Sequence, residues 1–169
     1  MLILALLLVF SSVFAEDAPT ENMPTEETSA PINTSDNGPY VNGAIGFGFY
    51  KSDTDLAWQA GYGYSQLLTA VNPVAPIFLG AEANFSRFTD HASSIDALAI
   101  FGLQLNKSRI YLKAGPDFVM AEKNDFSAKG GVGVSYPLFK TFRTMLEVQY
   151  TRQQHRGMTS VVSGLQYYF

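Results

Sequence analysis

The chain contains no cysteine. Disulfide stapling is therefore excluded, as is acylation at a lipoprotein cleavage site, which requires a cysteine. After residue 15 no apolar run reaches the roughly 20 residues that a membrane helix needs. The first fifteen residues, MLILALLLVFSSVFA, are apolar but too short to span a bilayer. Lysine and arginine are missing ahead of that run, so its only positive charge is the α-amino group. It ends in Val13-Phe14-Ala15, with small residues at the first and third positions before Glu16. That is the pattern of a signal-peptidase site, and residues 1–15 are expected to be a signal peptide. There is no phosphate loop, nucleophile elbow or metal-ligand spacing. No cofactor, no bound metal and no nucleic-acid partner are expected.

Positive charge is missing from a second stretch. Residues 16–38 hold Glu16, Asp17, Glu21, Glu26, Glu27 and Asp36 among Pro, Thr, Ser and Asn, with no Lys or Arg. Such a composition buries too little apolar surface to offset chain entropy, so a disordered acidic linker is expected there. Of the 15 acidic and 11 basic residues, the remainder, 39–169, keeps nine and eleven. The formal charge of −4 therefore belongs to the linker.

What the remainder does have is aromatic residues and an alternation of period two. Its last ten residues, SVVSGLQYYF, place Val161, Ser163, Leu165, Tyr167 and Phe169 on one face of a strand, and Val162, Gly164, Gln166 and Tyr168 on the other. The same alternation recurs in segments of roughly ten residues, which predicts eight strands. The first, about Tyr40 to Tyr50, sets Val41, Ile45, Phe47 and Phe49 against Asn42, Ala44, Gly46 and Gly48. The second, about Leu56 to Leu67, sets Leu56, Trp58, Tyr62 and Tyr64 against Gln59, Gly61, Gly63 and Ser65. Later segments run through Ile77–Phe85, Ile95–Leu105, Arg109–Met120, Phe126–Tyr136 and Phe142–Tyr150 before the closing strand.

The interior of an eight-stranded barrel is only just wide enough for side chains to fill it. Rings from every strand would overfill it, whereas Gly and short polar residues fit. The apolar face therefore points outward, towards lipid, and lipid requires a closed sheet with no free edge. Polar connections at 51–55, 87–94, 121–125 and 151–159 alternate with 68–76, 105–108 and 137–141. Pro116 lacks the N–H that a ladder uses, so a bulge or an early strand end is expected beside it.

This pattern resembles the small eight-stranded bacterial outer-membrane β-barrels, of the OmpA transmembrane domain, OmpX and Ail type. The resemblance covers residues 39–169 and implies an all-β, up-and-down antiparallel transmembrane barrel. It also implies a monomer whose partners are the lipid bilayer, lipopolysaccharide, periplasmic chaperones and the barrel assembly machinery. In that family the terminal row, here Leu165, Tyr167 and Phe169, is read by that machinery.

Within the strands, the inward-facing charges are Glu82, Lys113, Asp117, Lys129, Arg143 and Glu147. Unpaired buried charges cost several kcal/mol, so these residues are expected to form an ion-pair network that fills the lumen. For a hairpin centred near Lys123, Asp117 and Lys129 are equidistant from the turn and should pair across it. Arg152, His155 and Arg156 define a basic external loop suited to lipopolysaccharide phosphates or an acidic surface. His91-Ala92-Ser93 resembles the His-x-Ser of the outer-membrane lipid A deacylase, but the only downstream carboxylate in that strand, Asp96, is predicted to face inward. A non-enzymatic structural or surface-interaction role is therefore the expectation. A lipid-modifying enzyme and a narrow channel are the alternatives.

Overall fold

Alternation with apolar side chains on one face lets each segment join a sheet that closes on itself, and a closed barrel is what forms. The computed structural model describes residues 37–50, 53–68, 76–88, 92–121, 124–153 and 156–169, with the side chains of 153 and 156 excepted. All of these fall in the compact unit Pro31–Phe169. The expected signal peptide and all but the last two residues of the expected linker lie outside the described residues.

Eight strands follow in order: β1 (Gly38–Tyr50), β2 (Asp53–Leu68), β3 (Ile77–Phe88), β4 (Ala92–Leu105), β5 (Ser108–Met120), β6 (Asp125–Pro137), β7 (Phe142–Gln153) and β8 (Arg156–Tyr168). Each pairs antiparallel with its neighbours, and β8 returns to β1 from Tyr40↔Tyr168 to Phe49↔Thr159. At 12 to 16 residues, the strands exceed the 9–11 that a tilted strand needs to cross a bilayer. No helix occurs among the described residues.

The outer wall is apolar: Ile45, Leu112 and Phe126 are 68, 57 and 74% exposed. The inner face is polar between two apolar layers. Tyr40, Leu67, Phe78, Ile100, Tyr111 and Tyr168 pack at the end where β1 begins and β8 ends. Ala57, Phe88, Met158 and Val162 pack with Ala44 and Met145 nearer the opposite, hairpin end.

Three local expectations are corrected. Gly38 belongs to the barrel: it pairs with Ser65, and the Asn37 carboxamide oxygen accepts the Leu67 N–H at 2.7 Å. Gly38 has φ 127°, a conformation that side chains with a Cβ resist. The stretches 87–94 and 151–159 are mostly strand, leaving only 89–91 and 154–155 between elements. Polar residues at the strand ends stand clear of the apolar band and keep their ladder bonds, so polarity does not end the pairing.

The third correction concerns Pro116. It faces outward, β5 continues to Met120, and no bulge forms. The β4–β5 ladder skips the two pairs between Asp96↔Asp117 and Ala99↔Ala114, with the same offset on both sides.

Candidate functional site

The chemistry of the described residues lies in the lumen, where three layers of charge are stacked. In the middle layer Lys113 Nζ sits 2.7 Å from Glu82 Oε1 and 2.6 Å from Glu147 Oε1, with all three side chains buried. Each carboxylate also receives a tyrosine hydroxyl: Tyr40 donates to Glu82 and Tyr111 to Glu147, both at 2.7 Å. Asn84 adds a bond to Glu82 at 2.8 Å, and Gln149 adds one to Glu147 at 2.6 Å.

Glycines set up this geometry. Gly63 stands beside Tyr40 on one flank and Glu82 on the other. Gly133 stands in the same way between Tyr111 and Glu147. A Cβ on Gly63 would come within 2.3 Å of the Tyr40 ring, and one on Gly133 within 2.5 Å of the Tyr111 ring. Each tyrosine therefore lies across a missing side chain to reach a carboxylate two strands away. The unit Tyr–Gly–Glu occurs twice, on β1–β2–β3 and on β5–β6–β7, and Lys113 bridges the two.

Nearer the hairpin end, Lys129 Nζ contacts Asp96 Oδ2 at 2.6 Å and Ser86 Oγ at 3.1 Å. Asn84 donates to Asp96 Oδ1 at 2.8 Å. The expected cross-strand pairing of Asp117 with Lys129 is not formed. The β5–β6 hairpin is centred on residue 122, so Asp117 faces Ser127 and Lys129 faces Gly115. Lys129 extends past that glycine towards β4 instead. Asp117 is buried, and neither carboxylate oxygen has a hydrogen-bond partner.

At the termini end, Arg143 donates to Ser135 Oγ at 3.2 Å and to the Lys107 carbonyl at 2.9 Å. Arg109 donates to the Tyr168 hydroxyl at 3.0 Å and stacks over Phe78 at 4.8 Å. Of the six predicted lumen residues, Glu82, Lys113 and Glu147 come together in one cluster. Lys129 and Asp117 lie in the next layer, and Arg143 belongs to a separate one.

Asp96, Tyr40, Tyr111 and Arg109 were not among the predicted network residues. The inward position of Asp96 is readable from the period, but the partners of all four depend on contacts across the barrel.

The lumen is closed by these side chains. A void beside Tyr40, Ser65, Phe78 and Arg109 offers about 10 Å³, room for about one water. A second, beside Gln59, Ser86, Phe88 and Gln149, offers none.

Leu165, Tyr167 and Phe169 lie on the outer row. Tyr167 packs against Phe142 and Phe169 at 4.9 and 5.2 Å between ring centres. The Phe169 N–H donates to the Pro39 carbonyl at 3.2 Å. The basic triple is not one loop: Arg152 is an exposed β7 residue, Arg156 opens β8, and His155 lies outside the described residues. His91 also lies outside them. Ser93 is in β4 on the outward row with Ile95, whereas Asp96 is buried and held by Lys129.

A closed eight-stranded antiparallel barrel, apolar outside and ion-paired within, defines the class of small transmembrane β-barrels. Three solved structures share this fold with the chain. The outer membrane enzyme PagL aligns with TM-score 0.62 and 9% identity over 77% of this chain and 99% of its own. The N-terminal barrel domain of Pseudomonas aeruginosa OprF aligns at 0.54 and 14%, over 79 and 98%. Ail, the attachment invasion locus protein of Yersinia pestis, aligns at 0.53 and 13%, over 79 and 99%. At these identities the likeness is one of fold. No family model matches the chain, and no curated protein matches it.

Proposed function

We propose that this chain is an integral barrel of the bacterial outer membrane with a structural role and no catalytic one. The observation that carries this reading is the Lys113 bridge: one ammonium joins carboxylates from opposite walls at 2.7 and 2.6 Å and blocks the lumen at mid-height. A plug of this kind argues against a conducting pore.

Between strands on the hairpin side, two to four residues connect each pair. Connections this short leave little surface for an adhesive or ligand-binding loop. The structural reading is therefore favoured over a surface-interaction one. Contact with lipopolysaccharide would fall to side chains near the rim, such as the exposed Arg87 and Arg152. With both termini in the periplasm, the hairpin end faces outward, and the row Leu165, Tyr167 and Phe169 is available to chaperones and the assembly machinery. The fold shared with the enzyme PagL does not carry a reaction to this chain. Asp96 is turned into the lumen, away from Ser93, and cannot orient a catalytic histidine on the lipid face.

The test has two parts on the full chain: membrane fractionation, then planar-bilayer recording of the purified barrel. Recovery in the outer-membrane fraction with no discrete current steps is expected. Reproducible single-channel steps would favour the narrow channel instead.

A further inference from the structure

Among the described residues, the hairpin-end layer of the lumen carries two carboxylates and one ammonium. Asp96 and Asp117 are direct cross-strand partners on β4 and β5, and both side chains are buried. Among the described residues a single ammonium, Lys129, serves the layer, and it is committed to Asp96 at 2.6 Å. Asp96 is further satisfied by Asn84 at 2.8 Å. Asp117 is 1% exposed, and both of its oxygens lack a hydrogen-bond partner. Lys129 acts on it by charge, and the hydroxyls of Ser94 and Thr151 face it. A carboxylate so sparsely compensated in a confined space is costly.

Directly below the pair the β4–β5 ladder skips two rungs, Ala97 with Pro116 and Leu98 with Gly115. Asp117 also lies three residues from Met120, the end of β5, about 10 Å along the strand from the hairpin mouth. Beside the Lys129 ammonium, the nearby groups are oxygen donors: two carboxylates and the hydroxyls of Ser94 and Thr151. Oxygen sets of this kind suit hard cations.

We propose that Asp96 and Asp117 form a cation site that takes one small monovalent ion. Charge selects the valence. Two carboxylates and one ammonium leave a single negative charge, which a monovalent ion neutralises and a divalent ion overshoots. In this arrangement Lys129 holds Asp96 in place, and Asp117 supplies both of its oxygens to the ion.

The test uses the full chain refolded in a non-ionic detergent, with sodium as the probe and choline as a cation too large for the lumen, at equal ionic strength and fixed pH. Binding to the folded state raises the unfolding midpoint with the logarithm of sodium concentration. The wild type is expected to show that rise in sodium and not in choline, and Asp117→Asn is expected to show neither. Asp53→Asn, at an exposed rim aspartate, should keep the wild-type response. Identical midpoints of the wild type in sodium and choline would overturn the proposal. A wild type that is insensitive to sodium but stabilised by acid would overturn it in favour of a proton shared by the two carboxylates. Should Asp117→Asn not fold, sodium against choline on the wild type alone still decides.

Discussion

Tyr40 and Glu82 lie on strands separated by one other, and the residue between them in the register is Gly63. The tyrosine ring occupies the space a side chain at 63 would take, and its hydroxyl reaches the carboxylate at 2.7 Å. Tyr111, Gly133 and Glu147 repeat the arrangement on the other side of the barrel. Glycine in these strands is thus a spacing element for a polar lumen, and the charge cluster depends on it.

Substitution of Gly63 or Gly133 by alanine is therefore expected to push the facing tyrosine off its carboxylate. Overpacking of this kind costs about 1–3 kcal/mol, read as a lowered midpoint of urea unfolding in detergent. Gly43→Ala is the control, because a Cβ there meets nothing within 4 Å. Equal effects at all three positions would disprove the spacing role.

Removing the Lys113 ammonium should be among the most damaging single changes. Lys113→Met leaves Glu82 and Glu147 buried without their cation, at a cost of about 3–5 kcal/mol. Neutralising both partners in the same chain, with Glu82→Gln and Glu147→Gln, is expected to recover most of that loss. The measurement is a mutant cycle on unfolding. A triple variant as unstable as the sum of its parts would show that the three residues do not act together.

Deletion of Phe169 removes the last ring of the outer row, which packs on Tyr167 at 5.2 Å, and the N–H that bonds to Pro39 at 3.2 Å. Export to the periplasm should continue while insertion falls, seen as less folded, heat-modifiable barrel in the membrane fraction. Equal membrane levels of the truncated and full-length chains would contradict an assembly role for this row.

The wall was legible in the residues because period two assigns every side chain to a face, and lipid tolerates only one kind of face. Ile45, Leu112 and Phe126 needed no knowledge of neighbours. The lumen was legible only in part. Glu82, Lys113 and Glu147 point inward by the same period, but their meeting depends on how far each strand is staggered around the barrel, and alternation carries no record of stagger. The Asp117–Lys129 pair does not form for a related reason. A hairpin centre displaced by one residue moves every partner by two, keeping both faces correct while changing who meets whom. Asp96 then took the lysine, across a glycine that offered no obstacle. Strand ends such as Arg87 and Thr151 look like loop by their polarity, but polarity does not end pairing above the apolar band.

The orientation of the wall can be tested without altering the chain. Trp58 is the single tryptophan, and it lies on the outer row of β2, 39% exposed and packed against Phe85 at 5.4 Å. In a bilayer of lipids brominated on their acyl chains, its fluorescence should be strongly quenched, while aqueous iodide should quench it weakly. Strong quenching by iodide with none from the brominated chains would place that face in water and contradict the lipid-embedded barrel.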